Sequence, residues 1–115
     1  MRQFDQNQEW ILQIYVSSNG KSPFEEWLQS LKDKTSKAKI YQRIDRIRLG
    51  NFGDCKSVGA GVYELRIRWG PGLRIYYGLA GTHIILLLCG GDKGSQRKDI
   101  RRAHQIWKEF HDNAS

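Results

Sequence analysis

The sequence contains little of what marks a secreted, membrane-spanning or metal-binding protein. Its two cysteines, Cys55 and Cys89, lie far apart and outside any Cys-x-x-Cys motif, and its three histidines show no paired ligand spacing. Neither a disulfide framework nor a metal site is therefore expected. Residues 1–5 lack the apolar core of a signal peptide, and the longest apolar run, 84–89, is far shorter than the roughly 20 residues needed to cross a bilayer. These absences predict a cytoplasmic protein that has no membrane contact and no cofactor.

The length and composition indicate one ordinary globular domain covering residues 1–115. The chain has 115 residues, of which 39% are hydrophobic and only two are proline. A length prior of roughly 100–200 residues per domain leaves no room for a second domain. No serine lies in a nucleophile-elbow pattern, so a hydrolase with a Ser-His-Asp triad is disfavoured.

Acidic residues are scarce relative to basic ones, and the positive charge is localised. The sequence has 19 Lys+Arg against 12 Asp+Glu, a net charge of +7. Segments 34–48 and 93–108 each carry a local excess of five positive charges, and segment 64–79 carries an excess of two. On helices such charge is either a solvated face or a binding surface. The excess favours a polyanionic partner, with solubility charge as the alternative.

Periodicity predicts the elements of the first half. Residues 10–16 alternate as in a strand, and Asn19-Gly20 follows as a turn. Ser22-Pro23-Phe24-Glu25 has the N-cap hydroxyl, first-turn proline and carboxylate of a helix start. Apolar residues at helical spacing predict a second helix over about 36–49, which forms a hairpin with the first. Segment 51–61 is predicted to be a loop.

The second half predicts a hairpin, a buried strand and a closing helix. Segments 62–69 and 73–79 are β-rich and are joined by Gly70-Pro71-Gly72. The unbroken apolar segment 84–89 suits a central strand covered on both faces, and 95–110 is an amphipathic helix. The predicted fold is α+β in the order β-α-α-β-β-β-α, with a mainly antiparallel four-stranded sheet, an N-terminal helical hairpin and a C-terminal helix.

Charged side chains in the predicted hairpin are the strongest functional signal. Glu64, Arg66 and Arg68 recur every second residue and so share one face of a strand. Guanidinium groups suit the charge that develops on a pentacoordinate phosphate. RNA carries its own 2′-hydroxyl nucleophile, so such a face fits RNA cleavage without a metal. Segment 90–95 is either a phosphate site at a helix N-terminus beside Lys93 or a plain turn.

Several short motifs, in this order and spacing, resemble a known family. They are Val62-Tyr63-Glu64-Leu65-Arg66, Leu73-Arg74-Ile75-Tyr76-Tyr77 and Leu87-Leu88-Cys89-Gly90-Gly91-Asp92-Lys93, followed by Gln96, Asp99-Ile100 and Ala103. Together they resemble the RelE/ParE toxin superfamily and, within it, the HigB-like addiction module killer proteins. The likeness covers about residues 10–110.

The resemblance implies a toxin of a type II toxin-antitoxin system. Its ribosome-dependent relatives cut mRNA in the A site and leave a 2′,3′-cyclic phosphate, and a co-encoded antitoxin, expected to be HigA-like with a helix-turn-helix domain, silences them. The expected partners are therefore this antitoxin, mRNA and the ribosome. ParE-like members instead poison DNA gyrase without nuclease chemistry. A non-catalytic RNA- or ribosome-binding module is the third alternative.

The same resemblance assigns roles by position. Arg74 is expected to contact the scissile phosphate, and Arg66 to line the substrate cleft. Glu64 is either a general base or a salt-bridge partner of Arg66, and Lys93 either stabilises the transition state or protonates the leaving 5′-oxygen. Asp99 stands about where RelE-type members have a base-stacking tyrosine, so either Gln96 or Lys98 replaces that contact or the mechanism differs. The residues expected to bind RNA are Lys56, Arg68, Gln96, Arg97 and Lys98.

Overall fold

The chain forms one mixed sheet with helices on both of its faces. The computed structural model describes residues 9–114, so the prediction about residues 1–5 lies outside it. None of the helices within 9–114 combines the length and apolarity needed to cross a membrane. The elements are β1 (Ile11–Ile14), α1 (Pro23–Ser30), α2 (Lys34–Arg48), β2 (Cys55–Ser57), β3 (Val62–Ile67), β4 (Leu73–Leu79), β5 (Ile84–Asp92), a 3₁₀ turn (Lys93–Ser95) and α3 (Gln96–Ala114).

The α+β class is confirmed and the sheet is mainly antiparallel, but the predicted count of four strands is wrong. The sheet has five strands in the order β1-β5-β4-β3-β2. The extra strand, β2, lies in the segment predicted to be a loop and pairs antiparallel with β3. In addition, β1 pairs parallel with β5. The element order is therefore β-α-α-β-β-β-β-α. Strand β2 was not predicted because a three-residue strand is too short to show alternation and forms only by pairing with its neighbour.

Strand β5 is internal, as predicted, but it lies between β1 and β4 and runs to Asp92, beyond its predicted end at residue 89. Gly90 and Gly91 do not end the strand. A Cβ added to Gly90 would lie 2.2 Å from Trp27, and one added to Gly91 would lie 1.8 Å from the Asp99 carboxylate. These two glycines therefore let a helix approach each face of the sheet closely.

Helices α1 and α2 cover one face. The hydroxyl of Ser22 accepts a hydrogen bond from the Glu25 amide at 3.3 Å, which confirms the predicted start of α1. Asp33 caps α2 by accepting from the Thr35 amide at 3.0 Å. Apolar side chains of both helices share one core with inward-facing residues of β3, β4 and β5, among them Phe24, Ile40, Ile44, Ile47, Leu65, Ile75, Tyr77 and Leu87.

Helix α3 covers part of the opposite face. Ala103, Ile106 and Trp107 pack against Val62 and Tyr76 in a second core. The alternation of β3 puts Glu64 and Arg66 on this same face, next to the position at which α3 begins. A polar cluster therefore continues the α3-covered core towards the β3–β4 turn.

Candidate nucleic-acid interface

The cluster is organised around the buried carboxylate of Glu64, whose side chain is 0% exposed. Its Oε1 accepts a hydrogen bond from Arg66 Nε at 2.9 Å. Its Oε2 accepts one from the Tyr76 hydroxyl at 3.0 Å and one from Gln96 Nε2 at 2.8 Å. Arg74 Nε lies 3.5 Å from the same Oε2. Three elements thus converge on one carboxylate.

Sheet register explains this convergence. In the antiparallel β3–β4 pair, Glu64 stands opposite Tyr76, and Arg66 stands opposite Arg74. Directly opposed residues share a face and place their side chains within contact distance. Gln96 is added from outside the sheet, because the turn after β5 delivers the first residue of α3 beside Glu64.

The surroundings keep Glu64 ionised. Burial by itself raises the pKa of Glu64, but hydrogen bonds from Arg66, Gln96 and Tyr76, together with the charge of Arg74, outweigh it and leave the pKa below its ordinary value. The hydrogen bond to Glu64 in turn raises the pKa of Arg66. Burial and the neighbouring carboxylate raise the pKa of Tyr76, which keeps its hydroxyl a donor. One carboxylate therefore faces two guanidinium groups, which leaves an excess of positive charge.

Arg74 is held in place with unused hydrogen-bonding capacity. Its side chain is 10% exposed, and its Nη1 donates to the Gly72 carbonyl at 3.3 Å. Its Nε is buried and makes no hydrogen bond, because the 3.5 Å approach to Glu64 is an ion pair without hydrogen-bond geometry. Arg74 is thus oriented by its neighbours, and these contacts use only a small part of the five N–H groups of its guanidinium.

A groove of about 500 Å³ lies against this cluster. Its walls include Arg66, Arg74 and Lys93, three of the four predicted catalytic residues, together with Trp69. Lys93 is held beside Arg74 because its amide donates to the Pro71 carbonyl at 3.4 Å. The structure therefore brings Arg66, Arg74 and Lys93 to one surface, with Glu64 buried behind them.

The predicted RNA-binding residues have different settings, and of the five only Arg68 is part of the groove lining. Lys56 is exposed and stands opposite Glu64 on β2. Arg68 lines the groove and pairs with Asp54 at 3.3 Å, with 88% of its side chain exposed. Arg97 and Lys98 are exposed and line a separate hollow with Lys93 at the start of α3.

Gln96 belongs to the Glu64 cluster. Its side-chain amide donates to Glu64, so it supports the buried carboxylate. Asp99, at the position of the family's tyrosine, is 6% exposed and its carboxylate accepts a hydrogen bond from the Ser95 hydroxyl. Asp99 therefore lies inside the protein, under β5.

The start of the last helical segment is a plain capped turn. The Asp92 carboxylate accepts hydrogen bonds from the Gly94 amide at 2.8 Å and the Ser95 amide at 3.2 Å. These amides already have an anionic partner. Of the two alternatives for segment 90–95, the capped turn is the one that these contacts favour, and phosphate binding beside Lys93 stays a prediction.

Sequence reasoning assigned no role to Tyr76 or Trp69. Tyr76 enters it only as a member of the motif at residues 73–77, and only the β3–β4 register would have placed its hydroxyl on Glu64. Trp69 lies in the turn region, where its indole donates to the Ser36 hydroxyl at 3.1 Å and Lys39 lies 5.0 Å from its ring centroid. Among residues 9–114, no three His, Cys, Asp or Glu side chains come close enough to hold a metal ion.

Comparison with known proteins places the chain in a family. Residues 26–108 match the family described as Phage derived protein Gp49-like (DUF891). An "Uncharacterized protein" of Haemophilus influenzae is 49% identical over 87 residues, which is 76% of this chain and 88% of that protein. The family match includes every residue of the Glu64 cluster and of the groove beside it. The chain therefore belongs to the Gp49-like family, a family of addiction-module toxins of the RelE/HigB-like kind.

Proposed function

We propose that this protein is a HigB-like toxin that cuts translated mRNA on the ribosome by metal-independent attack of a 2′-hydroxyl. The arrangement of Arg74 carries the proposal. The residue is anchored by Glu64 and Gly72 at the wall of an open groove, so its guanidinium is held in place before a ligand arrives. A phosphate in the groove would accept hydrogen bonds from the terminal N–H groups of that guanidinium.

For this cleavage reaction, the protein has to hold the RNA in position and stabilise the charge that develops on the phosphate. The 2′-oxygen forms a bond to phosphorus while the bond from phosphorus to the 5′-oxygen breaks, which leaves a 2′,3′-cyclic phosphate and a 5′-hydroxyl. Negative charge grows on the non-bridging oxygens as this happens. Arg74 and Arg66 stabilise that charge, and removal of one such preorganised donor typically costs about 100- to 1,000-fold in rate.

Glu64 acts in this mechanism as a positioning residue. A general base must accept a proton, whereas three donors and a nearby guanidinium hold the Glu64 carboxylate in its ionised form and keep its pKa low. Of the two roles that the sequence leaves open, the salt-bridge role fits these contacts. The proton of the 2′-hydroxyl passes to water in the open groove.

Lys93 is the proton donor to the leaving 5′-oxygen. It lines the same groove as Arg74, and its ammonium group carries protons that it can give up. Lys56, Arg68, Arg97 and Lys98 hold the flanking phosphates, because all four are exposed cations. Arg68 lines the groove, and Arg97 and Lys98 line the hollow that shares Lys93 with it. Gln96 contributes indirectly, through Glu64.

The family implies an antitoxin partner, and we propose a HigA-like antitoxin with a helix-turn-helix domain. The toxin carries +7, so a more acidic antitoxin segment over the basic groove would neutralise it by electrostatic complementarity. The site of action is the cytoplasm, where ribosomes, mRNA and free thiols coexist. Cys55 and Cys89 are both free.

Primer extension on a reporter mRNA in a cell-free translation reaction tests the proposal. Wild-type protein should produce cuts only when ribosomes are present, and Arg74→Ala should abolish them. Arg48→Ala is the matched control. Arg48 is also an arginine, but it is exposed and lines neither the groove beside Arg74 nor the neighbouring groove that shares Arg66 and Arg68 with it. Intact message with folded wild-type protein would overturn the proposal, and inhibited DNA supercoiling by gyrase in parallel would establish the ParE-like alternative.

A further inference from the structure

Arg43 is a buried cation that forms no ion pair in the described part of the chain. It lies in the middle of α2 and is 8% exposed. None of the ion pairs within 9–114 includes it, and its Nη1 is buried without a hydrogen-bond partner. An isolated buried charge is costly unless something pairs with it. The apolar stripe of α2 does not require an arginine at this position.

The guanidinium packs against a glycine and opens onto a second groove. A Cβ added to Gly53 would lie 2.7 Å from Arg43 Nη2, so the Gly53 backbone leaves room for the group. The groove has a volume of about 310 Å³, and its walls carry four further cations and the amide of Asn51. The four cations are Lys39, Arg46, Arg66 and Arg68. Asp54 is the acidic residue of this lining, and it pairs with Arg68.

The second groove adjoins the candidate active site. Arg66 and Arg68 line both grooves, so a strand that crosses Arg74 reaches the α2 groove without leaving the protein surface. A polynucleotide has a phosphate at every nucleotide, whereas a single small anion would fill one groove only. The continuity of the two grooves favours a polynucleotide over a carboxylate peptide as the occupant.

We propose that Arg43, with Lys39 and Arg46, forms a second phosphate subsite that binds a backbone phosphodiester of the RNA strand away from the scissile bond. This inference rests on the proposed function for the identity of the polymer. The subsite contributes binding and register and takes no part in bond breaking. In the free protein the nearby Asp54 acts on Arg43 only at a distance and forms its ion pair with Arg68, so a phosphate would supply the direct anionic partner that Arg43 lacks.

Fluorescence anisotropy with a labelled single-stranded oligoribonucleotide tests the subsite. For a single strand, the slope of log affinity against log salt falls by about 0.7 for each phosphate that the protein no longer neutralises. Arg43→Met should weaken binding about tenfold, the effect of removing one charge-assisted hydrogen bond, and should reduce the slope by about 0.7. Arg48→Met, the same charge change at an exposed site on the same helix, should leave the slope unchanged.

The midpoint of thermal unfolding provides a second readout. Replacement of an arginine that stabilises the fold would lower this midpoint. If the charge of Arg43 is unpaired in the free protein, Arg43→Met should keep or raise the midpoint of thermal unfolding while it weakens RNA binding. If the methionine variant does not fold, Arg43→Lys is compared with Arg48→Lys. Arg43→Lys keeps the charge but loses the planar set of guanidinium donors. It should therefore weaken RNA binding more than Arg48→Lys does.

An unchanged affinity and salt slope in the folded Arg43 variant would overturn the inference. So would a variant that binds polyglutamate more weakly and RNA as before, because the ligand would then be a carboxylate peptide. Message cleavage measured in parallel separates the two claims. If Arg43→Met binds RNA more weakly but the wild-type protein cuts no message, the subsite is supported and the nuclease proposal is refuted. Normal binding and cutting by Arg43→Met refutes the subsite alone.

Discussion

Replacement of the buried carboxylate at the centre of the site, Glu64→Gln, gives the sharpest prediction about structure. Glutamine has nearly the same shape and can still accept hydrogen bonds from Tyr76 and Gln96. It cannot provide the negative charge that faces Arg66 and Arg74. The variant thus removes the charge from the cluster while it keeps most of the packing.

The magnitude follows from the burial of each partner. Loss of one member of a buried ion pair costs about 3–5 kcal/mol, because the remaining charge is left unpaired. Arg74 is 10% exposed and bears most of this cost. Arg66 is 32% exposed, so solvent screens much of its contribution. Because the amide keeps two hydrogen bonds, we expect about 3 kcal/mol, the lower end of that range.

Urea unfolding at neutral pH measures the effect, with Asp45→Asn as the control. Asp45 also pairs with an arginine, Arg48, at 3.5 Å, but the side chains are 67% and 47% exposed. An exposed pair of this kind contributes about 0–1 kcal/mol. The free energy of unfolding should therefore fall much more for Glu64→Gln than for Asp45→Asn. Equal effects of the two substitutions would refute the assignment of Glu64 as the anchor.

The pH dependence gives an independent check. The pKa of Glu64 is lower in the folded protein than its ordinary value of 4.5. A group with a depressed folded-state pKa stabilises the protein fully above its unfolded pKa and loses that contribution as the pH falls through the folded pKa. The stability difference between wild type and Glu64→Gln should therefore be complete at neutral pH and shrink progressively below pH 4.5.

Three further predictions concern other parts of the molecule. Gly78→Ala places a Cβ 2.3 Å from the Trp107 ring and should lower the free energy of unfolding by about 1–3 kcal/mol in urea titrations; an unchanged midpoint would contradict the packing of α3 on β4. The thiol of Cys89 is 1% exposed and burial raises its pKa to about 12, so Ellman's reagent should label it only after unfolding; labelling in the folded protein at the rate of Cys55 would be the contrary result. Arg74→Lys keeps the charge but loses the planar fork and should reduce the rate of message cleavage about 100-fold; wild-type cleavage by the lysine variant would show that charge alone suffices.

The parts of the fold that were predictable depend on local interactions. The start of α1 could be predicted from consecutive residues, because the Ser22 cap and Pro23 act within one turn. The apolar spacing of α2 and α3 likewise reports the face that each helix buries. Such signals are complete within a short stretch of sequence, and the structure agrees with them.

The features that were missed depend on contacts between distant segments. Strand β2 is too short to show alternation and exists because it pairs with β3. Strand β1 reads correctly as a strand, but its parallel pairing with β5 depends on the path of the two helices and three strands that lie between them in the sequence. Gly90 and Gly91 resemble a turn in sequence, whereas their role is to admit Trp27 and Asp99.

The same distinction applies to the site. Alternation correctly placed Glu64 and Arg66 on one face, and register then brought Arg74 opposite Arg66. Whether an arginine on α2 is solvated or buried depends on what packs over it, so sequence left the helix charge open between two alternatives. Arg43 proved to be buried beneath the 51–54 segment.

The central claim is that the RNA supplies its own nucleophile at the Arg74 groove. The most direct test places a single 2′-deoxynucleotide on the 5′ side of the mapped cut in an otherwise unmodified reporter mRNA, and measures primer extension during cell-free translation. We predict cleavage of the all-ribose message and no cleavage at the deoxy position, because the attacking hydroxyl is missing. Cleavage at that position in the deoxy message would contradict 2′-hydroxyl attack, and an all-ribose message left intact by folded protein would contradict the nuclease itself.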